Sequence, residues 1–164
     1  MELRLKAGQF YGKTSHALSA NGFRFTEKTY SLHATLPAHA HELSHFCFVL
    51  AGSYKEKIYR RLFERGPTAL VYYPPDVSHA EEHFEHGRHF LVEIDFKPLE
   101  RLREYGARLC EPVLLDGDSS LWLAARMYRE FSQRGFADQA HFTRSFKRIT
   151  GMTPTEFRRT FAAH

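Results

Sequence analysis

The residues from Gly135 to Phe161 admit few conformations. Gly135 suits a tight turn, since glycine takes positive φ without steric penalty. Asp138 is a good N-cap, its carboxylate placed to accept from the open N–H groups of a first helical turn. Phe142, Phe146 and Ile149 then recur at i, i+4 and i+7, which is one face of a helix. Ala140, Arg144, Lys147 and Arg148 fall on the opposite face. Gly151 is placed to end this helix. Thr153-Pro154-Thr155-Glu156 opens another, with Thr as N-cap, Pro at N1 and Glu at N3, a capping box. Phe157 and Phe161, four apart, give the second helix an apolar stripe with Arg158 and Arg159 beside it. The spacing predicts two short helices joined by a tight turn, with a basic outer surface. Spacing of this kind is also met by ordinary amphipathic surface helices.

The literal string is more specific. Gly135-Phe136, Asp138-Gln139, His141-Phe142, Arg144, Phe146-Lys147, Gly151, Thr153-Pro154 and Phe157-Arg158 stand in one fixed order. This order resembles the end of the DNA-binding domain of AraC/XylS-type transcription regulators, where it covers the last recognition helix and the closing helix. The resemblance runs from about Gly135 to Phe161. It implies DNA as a partner, with Gln139, His141 and Arg144 facing bases. Amide and guanidinium groups read adenine and guanine edges bidentately. Lys147, Arg148, Arg158 and Arg159 would hold phosphates, fixing position without reading sequence. The alternative for each is a solvated surface side chain.

Charge supports the same segment. From Arg134 onward six Lys/Arg stand against Asp138 and Glu156, and this accounts for the whole net charge of +4. The rest of the chain is balanced. A localised basic patch attracts phosphates better than diffuse charge does. With 164 residues, 43% hydrophobic and rich in Phe and Tyr, the chain can build one domain with an appendage. No apolar run is long enough to span a membrane. Met1 to Phe10 carries charges and no apolar core, so no secretory leader is expected. Cys47 and Cys110 make no disulfide framework, and Cys47 reads as a reduced core residue. The expected location is the cytoplasm.

The first part of the chain reads as strands. Phe23 to Tyr30 and Leu32 to Leu36 are β-rich, with Asn21-Gly22 as a hairpin turn. His16 and His33 carry no pattern. His39 and His41 are two apart, so on a strand they point to the same face. Phe46 to Leu50 reads as a buried strand before a Gly52-Ser53 turn, and Tyr54 to Arg60 as an alternating one. After a turn at Gly66-Pro67, Ala69 to Tyr73 is a strand, and a strand pair broken by Gly87 spans His83 to Asp95.

The run His39-x-His41, three residues, His45, six residues, Gly52 resembles the first motif of the cupin superfamily, with His45 in place of the usual Glu. Pro74-x-Asp76-x-x-His79-x-x-x-His83 resembles the second, with Asp for Gly and His for Asn. The resemblance covers Leu32 to Asp95. It implies a small antiparallel β-barrel whose interior holds a metal or a small-molecule effector, and AraC-type regulators often carry such a sensor domain. His39, His41, His45 and His79 are the candidate ligands, suited to Zn, Fe, Ni or Cu. A metal-free effector pocket is the alternative reading, since the carboxylate of the motif is missing. His83, the last residue of the motif, and His86 and His89 past it are expected to face solvent.

Beyond the barrel, a short helix is expected from Pro98 to Tyr105. A second, capped by Asp118 or Ser119, runs from Leu121 to about Gln133, with Leu121, Ala124, Ala125, Tyr128 and Phe131 on one face. This helix either mediates a homodimer or packs on the barrel. The expected division is a sensor domain at 1–97, linker or dimerisation helices at 98–134 and a partial helix-turn-helix at 135–164. The fold class is mainly β with C-terminal helices. AraC-type domains hold two helix-turn-helix units, and here only the last recognition and closing helices remain. Glu130 and Phe131 stand where the preceding helix of the family has an Ile-Ala pair. The leading expectation is a transcription regulator rather than an enzyme. A metal-dependent cupin enzyme, and a partner that dimerises with full-length relatives and blocks them, are the alternatives.

Overall fold

The computed structural model describes residues 3–95, 110–134 and 139–161. In chain order the strands are β1 (Leu3–Leu5), β2 (Lys13–Ala20), β3 (Phe23–Tyr30), β4 (Thr35–His41), β5 (His45–Ala51), β6 (Tyr54–Ile58), β7 (Arg61–Arg65), β8 (Leu70–Tyr73), β9 (His79–His83), β10 (Gly87–Ile94) and β11 (Val113–Leu114). Three helices follow: α1 (Asp118–Arg134), α2 (Gln139–Thr150) and α3 (Pro154–Phe161). The helix expected over Pro98–Tyr105, the turn at Gly135 and the cap at Asp138 lie outside the described residues.

The strands form two sheets, ordered β1-β4-β9-β6-β7 and β11-β8-β5-β10-β3-β2. Strand pairing is antiparallel except that β1 runs parallel to β4. The mainly β architecture with C-terminal helices is the one expected. The closed barrel gives way to a jelly-roll-like sandwich, because among the described residues no ladder joins the edge strands of one sheet to those of the other. Asn21 and Gly22 take φ of 51° and 80°, the left-handed pair that the β2–β3 hairpin requires. Gly52 has φ 80°, and a Cβ there would lie 2.5 Å from the His86 carbonyl oxygen, so a larger residue would force the chain apart.

The inner strands of the six-stranded sheet are buried on both faces, and the period of two along them sorts the side chains. Cys47, Val49, Val71, Tyr73 and Leu91 point inward, where Tyr54, Ile58 and Val77 meet them in one core. Phe23, Phe25, Phe48, Leu70, Phe90 and Ile94 form a second core with Phe131, Phe142 and Phe146 of the helices. The molecule is thus three layers: sheet, sheet, helices. β11 extends the six-stranded sheet by pairing with β8.

α1 packs on the sheet through Leu121, Ala124, Met127, Tyr128 and Phe131, and the Tyr128 hydroxyl donates to Glu27 at 2.9 Å. Ala125, expected on this face, is exposed, as are Trp122 and Leu123. Phe142 of α2 lies 5.4 Å from Phe25, and Phe146 lies 5.1 Å from Phe23. Gly151, at φ 83°, ends α2, its N–H donating to the Lys147 carbonyl. The expected capping box opens α3: Thr153 N–H donates to Glu156 Oε2 at 2.6 Å, and Glu156 N–H to Thr153 Oγ1 at 3.1 Å.

Because Phe142 is fully buried between sheet and helices, Phe142→Ala is expected to destabilise the whole protein by about 3–5 kcal/mol. Urea unfolding followed by far-ultraviolet circular dichroism checks this. A change near zero would mean that α2 is not docked.

Candidate functional site

Two sites emerge, one inside the sandwich and one on the helices. The interior site is built by strand alternation. β4 sends His39 and His41 inward together, as the spacing predicts, and β9 lies beside it with His39 opposite His79. β5 contributes His45 from the facing sheet. All four imidazoles are buried. The ring centroids of His39 and His79 are 4.3 Å apart, those of His39 and His41 5.1 Å, and those of His41 and His45 4.6 Å. His45 stands 6.5 Å from His79 and stacks on Tyr73, so it flanks the cluster. The tight trio is His39, His41 and His79, each offering a nitrogen within 4.8 Å of the others.

Hydrogen bonds set the tautomers of two of them. His39 Nδ1 lies 2.8 Å from the Pro37 carbonyl and His79 Nδ1 3.2 Å from the Val77 carbonyl. A carbonyl only accepts, so Nδ1 carries a proton in each, and it is Nε2 whose lone pair the neutral ring would offer. Burial, reinforced by His45, His79 and His39, holds His41 far below the ordinary imidazole value. Burial, then the neighbouring His79, brings His45 down to about 3. Neutral imidazole is the metal-binding form.

The donor set fits a divalent transition metal. Three imidazoles and an adjoining carboxylate are a common ligand set. Nitrogens bonded at about 2.1 Å to one ion lie no more than about 4.2 Å apart, so a small inward shift of the trio completes the site. The chamber these residues line has a volume of about 10 Å³. That is the space of a single water or ion. Phe10 packs on His41 at 4.6 Å and Tyr11 on His39 at 4.8 Å, closing it from the N-terminal side.

A carboxylate on another strand lies beside one member of the trio, His79. Glu81 follows His79 by two residues on β9, so the two share a face with His83. Its Oε1 lies 3.9 Å from His79 Nε2, and its Oε2 accepts from His83 Nε2 at 3.0 Å. Burial pushes the Glu81 carboxyl up, but the bond from His83 and the electrostatic pull of His79 and His89 outweigh it and bring it down to about 2. Glu56, His79 and Glu81 make a second set of ligand atoms within 4.8 Å. Burial, and then Glu81, lift Glu56 to about 7 against the pull of Arg65, whose Nε donates to it at 3.1 Å.

His86 is exposed, as expected, but His83 and His89 are buried, contrary to expectation. They extend the polar interior. His83 stacks between Tyr30 and Tyr54 at 4.3 and 5.1 Å, and His89 Nδ1 lies 3.7 Å from Cys47 Sγ. Burial lowers His89 to about 4, with Glu81 opposing. Gly87 makes room for the His83 ring, since a Cβ there would lie 2.9 Å from its Nδ1. The alternation His79, Glu81, His83 was the signal that could have placed all three inside.

The second site is the outer face of the helices. Arg144, Lys147 and Arg159 are exposed, and Phe142 and Phe146 on the opposite face anchor α2 to the sheet. Arg148 is 54% exposed, yet its Nη2 donates to Glu130 Oε1 at 2.7 Å. Glu130 also accepts from Ser145 at 3.4 Å and has His141 Nε2 at 4.0 Å. His141 is therefore turned toward α1 and largely covered. Gln139 opens α2 and Arg158 lies in α3, their side chains outside the described ones. Glu130 and Phe131, which depart from the family pattern, are the residues that join α1 to α2: Phe131 shares the aromatic core with Phe142, and Glu130 gathers the polar groups.

Residues 132–159 match the family model described as bacterial regulatory helix-turn-helix proteins, AraC family. The match begins in the last turn of α1 and takes in α2 and most of α3. Comparison with curated protein sequences finds no match. Among solved structures, a cupin superfamily protein from Desulfitobacterium hafniense is 8% identical with a TM-score of 0.43, covering 52% of this chain and 83% of that one. A cupin-2 domain protein from Shewanella frigidimarina is 12% identical with a TM-score of 0.44, covering 51% of this chain and 84% of that one. An HTH_3 family transcriptional regulator from Vibrio cholerae is 17% identical with a TM-score of 0.40, covering 45% of this chain and 43% of that one. Residues 132–159 are thus similar to the AraC-type helix-turn-helix family model, and they follow a two-sheet β-sandwich in the chain.

Proposed function

We propose that this chain is a DNA-binding transcription regulator, cytoplasmic and homodimeric, whose sandwich senses a divalent transition metal. The observation that carries the reading is the docking of α2. Its Phe142 and Phe146 edge is locked into the sheet, while Arg144 and Lys147 project outward. A helix held in this way can present one fixed face to a duplex. Arg144, with Gln139, is assigned to bases, and His141 joins them only by turning away from Glu130. Lys147, Arg148, Arg158 and Arg159 are assigned to phosphates, with Arg148 exchanging Glu130 for a phosphate. The exposed Trp122 and Leu123 of α1 support a dimer contact. No helix among the described residues is long and apolar enough to cross a membrane.

The metal would be held by His39, His41 and His79, with His45 and Glu81 beside them. A bound divalent ion there supplies positive charge to a cluster of neutral imidazoles and ties β4 to β9. The chamber's size suits a single ion better than an organic effector at this point.

Added Zn²⁺ or Ni²⁺ is expected to raise the melting temperature at pH 7.5. The stabilisation is about 2.7 kcal/mol when the metal is at roughly 100 times its Kd. His79→Ala should abolish it. Without metal, stability should fall as pH drops from 6.5 toward 4. His45 and His89 are neutral in the folded protein until about 3 and 4, whereas unfolded imidazoles protonate below 6.5, so the unfolded state binds more protons across this window. Glu81, ionised in the folded state down to about 2, adds loss in the same direction below 4.5. Glu56, raised to about 7, opposes it by favouring the folded state as pH falls toward 4.5. Thermal melts across this range, with and without metal, read both effects.

DNA binding by the chain alone is expected to be weak. One recognition helix covers less than the roughly 600–1,000 Å² that a small specific module buries. The four phosphate-facing side chains predict a slope of about −3 to −4 in log affinity against log salt. Titration with specific and scrambled promoter fragments at two salt concentrations tests this. Tight, selective binding would show that one unit suffices. No binding at low salt would favour a partner that blocks full-length relatives.

A further inference from the structure

The layer between the six-stranded sheet and the helices is not completely filled. A cavity of about 260 Å³ lies there, floored by the sheet and roofed by all three helices. Phe48 and Val92 belong to its floor, Ala124 and Met127 of α1 to one wall, and Phe146 of α2 and Phe157 of α3 to the other. It is separate from the histidine chamber, which lies on the opposite face of the same sheet. Leu123, part of the lining and partly exposed, marks its mouth.

The lining fixes the chemistry of an occupant. Among the described residues, no charged or titratable side chain takes part. Of these residues, Ser120 and Thr150 bring the two hydroxyls, and Thr150 already donates to the Phe146 carbonyl at 2.8 Å. Water gains little in such a space, since it finds too few polar partners. An apolar void also forfeits the dispersion contacts that an occupant would restore. A dry cavity of roughly 150 Å³ accepts benzene, so 260 Å³ has room for about two fused rings.

We infer that this cavity is a binding site for a neutral, largely hydrocarbon molecule of bicyclic size, aromatic or alicyclic, with at most one hydrogen-bonding group directed to Ser120. Its occupant touches the central strands and all three helices together. Ligand and α2 are therefore coupled by direct contact at Phe146. The consequence for DNA rests on the regulator reading above; binding itself does not.

The test uses the full chain and 2-naphthol, followed by titration calorimetry. One saturable equivalent is expected. Naphthalene-2-sulfonate, of similar shape but charged, should bind about tenfold or more weaker, because the site offers its anion no partner. Ala124→Phe and Ser120→Leu each place bulk in the cavity, and each should weaken 2-naphthol about tenfold or more. Hydrogen exchange of the wild-type chain keeps the test independent of how the variants fold. Bound 2-naphthol should slow exchange in α1 and α2. No saturable binding by the wild type, equal affinity for the sulfonate, or protection confined to residues away from the helices would overturn the assignment. DNA affinity is not a readout, so failure of the DNA reading leaves this result intact.

Discussion

The outer face of the six-stranded sheet holds this molecule together. Phe25 is fully buried, with Phe90, Phe131 and Phe142 around it at 5.1–6.3 Å between ring centroids in the contacts Phe25–Phe131, Phe25–Phe142, Phe25–Phe90 and Phe90–Phe131. Rings at such spacings gain quadrupolar as well as apolar contact. Short helices such as α2 and α3 are marginal on their own in water. The sheet supplies the apolar surface that makes them persist. This gives α2 and α3 a fixed seat.

The opposite face of the same sheet serves another purpose. Where the outer core is aromatic and dry, the inner one concentrates imidazoles and carboxylates. Burial keeps His41 and His45 neutral, while the bond from His83 and the electrostatic pull of nearby histidines keep Glu81 ionised. Buried polar groups of this kind cost stability unless they are paired. His83 and Glu81 pair, as do Arg65 and Glu56, and the backbone carbonyls of Pro37 and Val77 hold His39 and His79. β5, β8 and β10 carry residues of both cores, so a shift of these strands on one face is felt on the other.

Much of this was legible in the residues. The two-residue spacing of His39 and His41 fixed their common face, and the two cupin-like motifs brought His45 and His79 to them. The Thr153 to Glu156 string specified its capping box to the atom. What the sequence hid depends on long-range pairing. Whether strands close into a barrel or leave edges is decided by ladders between distant segments, as the pairing of β11 with β8 shows. His83, at the end of the motif, and His89, beyond it, were expected outside, yet strand alternation carries both inward. Glu130 and Phe131 looked like departures from a pattern, and only the packing of α1 on α2 reveals the contacts they make.

The central claim is that α2 belongs to the same cooperative unit as the sheet. Native-state hydrogen exchange at increasing denaturant tests it most directly, because it assigns an opening free energy to each segment. The account predicts that the amides of Phe142 and Phe146 open with the free energy and denaturant dependence of Phe90 and Leu91 in β10. Opening of α2 at much lower free energy, with little denaturant dependence, while β10 stays protected, would contradict it.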